Sequence, residues 1–107
     1  MDPNASSVTP RCPIRTTLEL ISGKWRLLII HQLSDGPLRF SELRRRIPEI
    51  SDKMLMQELR SLIENHLVER QEGQQIRYQL TRMGMELLPL RDALARFGTS
   101  YQKQLFQ

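Results

Sequence analysis

The sequence predicts a single, mainly α-helical domain that carries one small β-hairpin. Three patterns lead to this fold class. Residues 39–60 contain two stretches with apolar residues at helical spacing, residues 67–80 contain two short β-rich segments, and residues 81–97 return to a helical pattern. A chain of 107 residues is long enough to bury one hydrophobic core and too short for two.

Two short helices joined by a tight turn are predicted in the middle of the chain. Phe40, Leu43 and Ile47 recur at spacings of three and four, so they form one apolar stripe. Pro48 cannot continue the helical hydrogen-bond ladder, and Ser51 has the side chain that caps a following helix. Two helices separated by about four residues have the proportions of a helix-turn-helix, although many helical domains also contain such a pair.

The second helix of this motif is predicted to bury one face and expose the other. Leu55, Leu59, Leu62 and Ile63 form its apolar face. The free face carries side chains that can reach base edges and phosphates, namely Asp52, Lys53, Met56, Gln57, Arg60 and Ser61.

Two helices are predicted before the motif. Residues 1–13 contain three prolines among Ser, Thr and Asn, which predicts a flexible N-terminal arm. Ile14, Leu18 and Ile21 then mark a short helix that Gly23 ends. The next helix is predicted to be deeply buried and to end at Gly36 and Pro37, before a minimal strand at residues 38–40. Its apolar residues are Trp25, Leu28, Ile29, Ile30 and Leu33.

A β-hairpin is predicted directly after the motif. Residues 67–71 form its first strand, and in residues 75–80 the apolar side chains alternate with polar ones. Gly73 lies at the tip, where it is available for a positive φ. The order helix, helix, turn, helix and hairpin is that of a winged helix-turn-helix, in which the hairpin is the wing.

The last predicted helix begins at Thr81, bends at Pro89 and stops near Gly98, with a tail that can extend it. Its apolar residues offer more surface than so small a domain needs. Two explanations remain open: the helix covers its own core, or it joins two subunits, which we favour. Residues 14–107 are therefore predicted to form one domain with a C-terminal dimerisation helix.

Charge favours a polyanionic partner. Sixteen Lys and Arg residues against twelve Asp and Glu residues give a formal net charge of +4 and a pI near 9.8. Residues 44–46 are three consecutive arginines inside the motif. Such a run is usually a solvated helix face, and here phosphate contact is a second use.

Enzyme, metal and membrane functions find little support in the sequence. The two histidines, His31 in an apolar helix and His66 in a turn, have no nucleophile-and-base pattern and no zinc-like spacing with Cys12. No cofactor is predicted. Because Cys12 is the only cysteine and neither a signal peptide nor a membrane span is recognisable, a reducing cytoplasm is expected.

Several motifs together resemble one family. They are CPI at residues 12–14, GKWRLLII at 23–30, LRFSELRRRIPEISDKMLMQELRSL at 38–62, LVER at 67–70 and YQLTRMG at 78–84. The chain resembles the HxlR-type winged helix-turn-helix transcriptional regulators of bacteria and archaea. The resemblance implies a dimer joined through its N-terminal and C-terminal helices, with the second helix of each motif, the recognition helix, in a major groove and each wing near the flanking backbone. We therefore predict a homodimeric repressor or autoregulator that binds a near-palindromic site on double-stranded DNA.

The resemblance and the exposed face of the motif together give the candidate DNA-binding residues. Met56 stands where the family usually has threonine, and Asn65 and His66 replace its usual Asp-Gly turn. The wing lacks the family's proline pair and carries Glu69 and Glu72 against Arg70, so its contacts are the least supported. The candidates are Arg39, Ser41, Arg44, Arg45, Ser51, Lys53, Met56, Gln57, Arg60, Gln75 and Arg77.

Two further alternatives remain open. A winged helix used only for protein contacts would need an apolar or acidic recognition face, which this sequence does not have. Cys12 is either a small buried apolar residue or a sensor of oxidants or electrophiles, as in some members of the family. Arg11 and Arg15 flank it, and positive charge favours the reactive thiolate.

Overall fold

The computed structural model describes residues 10–106, and these fold into helices around one antiparallel hairpin. The fold class predicted from the sequence, mainly α with a small β-hairpin in winged helix-turn-helix order, is confirmed. The elements are α1 (Pro13–Leu20), α2 (Arg26–Gln32), a 3₁₀ turn (Leu33–Asp35), α3 (Phe40–Arg46), α4 (Asp52–Glu64), β1 (Val68–Gln71), β2 (Arg77–Leu80), α5 (Arg82–Met85) and α6 (Leu88–Phe106).

One hydrophobic core is shared by α2, α3, α4 and the hairpin. Ile29 and Ile30 of α2 are fully buried, whereas Leu28 keeps 43% of its surface exposed. The prediction that α2 is deeply buried is therefore right for one face and wrong for Leu28, which points towards α6. The other core residues are Leu33, Leu38, Leu43, Ile47, Ile50, Leu55, Leu59, Leu62, Leu67, Val68, Tyr78 and Leu80.

The turn between α3 and α4 forms for the reasons that the sequence gives. Ile47, before Pro48, leaves the helical region at φ −126° and ψ 74°, and α3 ends at Arg46. The Ser51 hydroxyl accepts a hydrogen bond of 3.0 Å from the Met54 N–H, which caps α4 as predicted.

The hairpin pairs Val68 with Leu80 and Arg70 with Tyr78. The minimal strand predicted at residues 38–40 is reduced to one bridge, in which Leu38 and Tyr78 exchange backbone hydrogen bonds of 2.9 and 2.8 Å. It is shorter than predicted because α3 already begins at Phe40.

The positive φ predicted for Gly73 is wrong. His66 instead takes the left-handed conformation, at φ 63°, where the chain leaves α4 and enters the hairpin. This is the place where the resemblance to the family leads one to expect a glycine. The His66 carbonyl accepts a hydrogen bond of 2.6 Å from the Thr81 hydroxyl, which also caps α5.

The C-terminal region differs from the single kinked helix predicted from Thr81. The chain breaks at residues 86–87, and α6 starts afresh at Leu88. Pro89 then lies in the first turn of α6, where its missing N–H leaves no hydrogen bond unmade. Gly98 does not stop the helix, because it keeps an ordinary helical backbone and α6 continues to Phe106.

A flexible arm was predicted at residues 1–13, of which residues 1–9 lie outside the described part of the chain. Pro13 is already the first residue of α1, a favoured position for proline. None of the helices described between residues 10 and 106 has the length and apolar character needed to cross a bilayer.

Candidate nucleic-acid interface

The outer face of α4 presents three polar side chains to solvent. Lys53, Gln57 and Arg60 are exposed and lie at spacings of four and three, so they share one side of the helix. Met56, which was also predicted on this face, is half-buried and turns towards the hairpin, where it lines the same groove as Tyr78. The recognition face is therefore more polar than the sequence alone indicates.

Arg44 stands apart from the two arginines that follow it. Its guanidinium donates to the Asp52 carboxylate and to the Ile50 carbonyl, so it joins α3 to the first turn of α4. Arg45 and Arg46 are exposed, and neither forms a salt bridge within residues 10–106. Of this run, Arg44 fixes the angle of the motif, and the next two side chains are available for phosphates.

A charged cluster surrounds the start of α3. The Arg39 N–H donates to the Glu42 carboxylate at 2.8 Å, and the Arg39 Nε does so at 3.3 Å. The backbone hydrogen bond from Arg39 is the main cause that lowers the pKa of Glu42. Partial burial of the carboxyl raises its pKa and opposes this effect, while the side-chain hydrogen bond and charge of Arg39 and the charge of Arg77 lower the pKa further. Arg77 is close enough to Glu42 for its charge to act there, and it also lines the hollow at the wing tip with residues 71–75. Ser41 is exposed.

The two faces of the hairpin carry different charges. Glu69 accepts a hydrogen bond from its cross-strand partner Gln79, whereas Arg70, the next residue, faces the opposite side. The sequence suggested that Glu69 opposes the charge of Arg70, but the two side chains lie on opposite faces of the hairpin. Arg70 is paired with Glu72 across 3.1 Å, and Gln75 is exposed at the tip.

A second ion pair on α4, which sequence reasoning missed, ties this helix to α2. Arg26 of α2 donates to Glu58 of α4 at 2.7 Å, and both side chains are largely buried. Arg26 also donates to the carbonyls of Glu19 and Leu20 at the end of α1. The two partners are 32 residues apart, so no local pattern reveals them.

Exposed apolar residues concentrate on α1 and α6. We call them the helical apolar surface, and we include in it only residues of those two helices. Phe97 and Tyr101 are neighbours on α6, with ring centroids 5.9 Å apart. The members are Ile14, Leu18, Leu94, Phe97, Tyr101, Leu105 and Phe106, each at least 46% exposed.

Cys12 directly precedes α1 and is buried, with 7% of its surface exposed. Its carbonyl accepts the Thr16 N–H at 2.9 Å, which opens the hydrogen bonding of α1. Across the described part of the chain, no group of three His, Cys, Asp or Glu side chains is arranged to hold a metal ion.

Comparison with known proteins identifies a family to which this chain is similar. The model of the family described as HxlR-like helix-turn-helix matches residues 20–106. An HTH-type transcriptional regulator of Methanothermobacter thermautotrophicus is 38% identical over 94 residues, which cover 84% of this chain and 72% of the relative.

Two solved structures of redox-related regulators are similar as well. The redox regulator HypR in its reduced form is 34% identical, with a TM-score of 0.82 over 87% of this chain and 96% of its own. Quinone-bound YodB from Bacillus subtilis is 37% identical, with a TM-score of 0.74 over 81% of this chain and 96% of its own.

Proposed function

This chain belongs to the HxlR-like helix-turn-helix family, and on that premise we propose that it binds a near-palindromic DNA operator as a homodimer. Its relatives are transcriptional regulators of the HTH type, and this chain is one too. We propose that it represses transcription in the cytoplasm, by occupying its operator, and that it has no enzymatic activity.

The observation that carries the proposal is the polar outer face of α4. Lys53, Gln57 and Arg60 line one side of a helix whose other side is fixed in the core. A helix held in this way can enter a major groove and present amide and ammonium groups to base edges. Arg45 and Arg46, on the preceding helix, would meet the backbone phosphates.

The helical apolar surface supports the dimer. Exposed aromatic and aliphatic side chains that follow one another along a helix usually mark a protein interface. A two-fold dimer gives each recognition helix its own half-site, with the two half-sites about one helical turn, or a multiple, apart on one face of the duplex.

The test starts with selection of bound fragments from random DNA, followed by binding of variants to the selected site. Lys53→Ala or Gln57→Ala should weaken binding to that site by roughly 1 to 3 kcal/mol more than binding to random DNA. Arg45→Ala should weaken both about equally and flatten the dependence of log affinity on log salt by about one unit for each subunit of the dimer. Gln102→Ala, an exposed glutamine on α6, is the control.

Two results would contradict the proposal. Enrichment of no motif at all would favour the alternative of a winged helix that contacts only proteins. A single asymmetric half-site bound by a monomer would leave DNA binding in place and refute the dimer.

A response to oxidants or electrophiles through Cys12 is a second, compatible proposal. It is supported by the position of Cys12 at the start of α1, beside the helical apolar surface, and by the similarity to HypR and to quinone-bound YodB. Diamide would oxidise two thiols to a disulfide and be reduced to its hydrazine. With one cysteine per chain, the second thiol is Cys12 of another subunit or a small thiol.

Burial gives this proposal a sharp test. A bond between two subunits needs their Cys12 Cα atoms within about 7 Å, and the buried thiol must first become accessible. Wild type and Cys12→Ser are treated with diamide or a quinone, analysed on non-reducing gels and by mass spectrometry, and then assayed for operator binding. If wild type is modified at Cys12 and keeps its affinity, Cys12 is structural.

A further inference from the structure

A groove between the recognition helix and the wing has the chemistry of a site for a sugar phosphate. It has a volume of about 310 Å³ and lies beside the exposed face of α4. We propose that it receives one phosphate and the adjoining deoxyribose of the DNA backbone, and that Arg70 is a DNA-binding residue. Its lining residues are Met56, Leu59, Arg60, Ile63, Arg70 and Tyr78.

Helix and strand periodicities bring the two arginines together. Met56, Arg60 and Ile63 are spaced by four and three residues, so one side of α4 carries all three. On β1, Arg70 is the cross-strand partner of the buried Tyr78, and both contribute to the groove. The groove thus has one arginine from the helix and one from the strand.

The floor of the groove distinguishes a nucleic-acid backbone from a free anion. Leu59 and Tyr78 are buried beneath it, and Met56 and Ile63 are half-buried at its side. A bare phosphate gains nothing from apolar walls, whereas a deoxyribose can pack on them while its phosphate meets the guanidinium groups. The floor therefore favours DNA over inorganic phosphate.

Glu72 competes for Arg70 in the structure without DNA. The two side chains are 3.1 Å apart, and Glu72 is 74% exposed. A surface pair of this kind is weak, since water and salt screen it. The phosphate would replace the Glu72 carboxylate at Arg70, so Glu72 tunes affinity by opposing DNA binding.

This inference rests on the proposed function and predicts a type of contact different from that of Lys53 and Gln57. A backbone phosphate is present in every sequence, so Arg70 should add affinity without changing the preferred operator. Its contribution should also depend on salt, because neutralising one phosphate releases condensed counterions.

The experiment measures binding of the full-length protein to operator and random DNA over a series of salt concentrations. Because the dimer carries two copies of Arg70, Arg70→Gln should flatten the slope of log affinity against log salt by about 1.8, equivalent to about 60-fold weaker binding at 0.1 M salt with the loss vanishing near 1 M. Glu72→Gln should strengthen binding to both DNAs, and Arg70→Lys should retain most of the slope. Arg96→Gln, on α6, is the matched control and should change nothing.

Ethylation interference gives a second, positional measurement. Wild type should lose binding when one particular phosphate of each half-site is ethylated, and Arg70→Gln should be insensitive to that same modification. An unchanged salt slope and unchanged ethylation interference in Arg70→Gln, with operator binding still selectively weakened in Gln57→Ala, would overturn the inference and leave the proposed function standing. Saturable binding of inorganic phosphate that Arg70→Gln abolishes would also overturn the assignment to DNA.

Discussion

The helix-turn-helix body and the long α6 helix use apolar residues in opposite ways. In the body, Ile29, Leu43, Leu55 and Leu59 have none of their surface exposed. The 19 residues of α6 include no buried residue, and Phe97 is 68% exposed. The body is closed by its own chain, whereas α6 presents apolar residues that the rest of residues 10–106 leaves uncovered.

The difference comes from how many neighbours each helix has. The helices α2, α3 and α4 are short and enclose one core with the hairpin. The first part of α6 packs against α2, where an Arg91 nitrogen lies 3.4 Å from His31 Nδ1. From Ala95 onwards α6 is almost entirely exposed. A core closed within one chain and a long helix with uncovered apolar residues therefore occur in the same small protein.

The largest expected effect tests whether α6 is an interface. Phe97→Glu places a charge in the middle of the helical apolar surface and should convert a dimer to a monomer, because burying an unpaired carboxylate is strongly unfavourable. Operator affinity should fall by about 100-fold or more when the second half-site is lost. Sedimentation and operator binding measure both effects, and Thr99→Glu, exposed on the same helix, is the control. Should Phe97→Glu remain a dimer, α6 is not the interface.

The next prediction sets a glycine of the packed region against a glycine of α6. A Cβ at Gly84 would overlap the Leu67 carbonyl oxygen and lie 3.1 Å from its carbon, while a Cβ at Gly98 meets nothing within 4 Å. Gly84→Ala should lower the free energy of unfolding by about 3 kcal/mol, since backbone must move. Gly98→Ala should raise it by roughly 0.5 to 1 kcal/mol through helix propensity. Urea titration measures both, and equal effects at the two sites would refute the contrast.

A smaller effect is expected at the junction between α4 and the wing. His66 holds φ 63° with an exposed side chain, so His66→Gly relieves left-handed strain and loses no packing. After the extra entropy of an unfolded glycine is subtracted, the gain should be about 0.5 to 1 kcal/mol of unfolding free energy. Asn65→Gly, at an ordinary φ of −91°, should instead destabilise. A loss of stability in His66→Gly would mean that the imidazole has a structural contact.

Local chemistry made much of this fold predictable. The stop at Pro48, the cap by Ser51 and the alternation of Tyr78 with Leu80 depend on neighbours in sequence, and the structure has each of them. The break before α6 was misplaced because Pro89 is accepted equally well in a first turn or at a kink.

The candidate site was less predictable, because its side chains depend on contacts between distant elements. The Arg44 guanidinium is hydrogen-bonded to Ile50 and Asp52, which lie at most eight residues away. These hydrogen bonds form only at the observed angle between α3 and α4. Arg70 shares a groove with Arg60 only because the wing folds back on α4. Periodicity shows which residues share a face of a helix or strand, but it does not show which face packs against another element.

The smallest expected effect tests whether the Glu42 charge stabilises the start of α3. The pKa of Glu42 lies below its ordinary value of 4.5, chiefly because its carboxylate accepts the Arg39 N–H. A lowered pKa means that the folded state favours the charged form, so this contribution to stability is complete above the ordinary value and disappears as pH falls through the folded pKa. Glu42→Gln should therefore be less stable than wild type at pH 7, with a smaller difference at pH 3. Urea titration at both values measures it, and a difference that is equal at the two pH values would show that the carboxylate charge plays no part in holding α3.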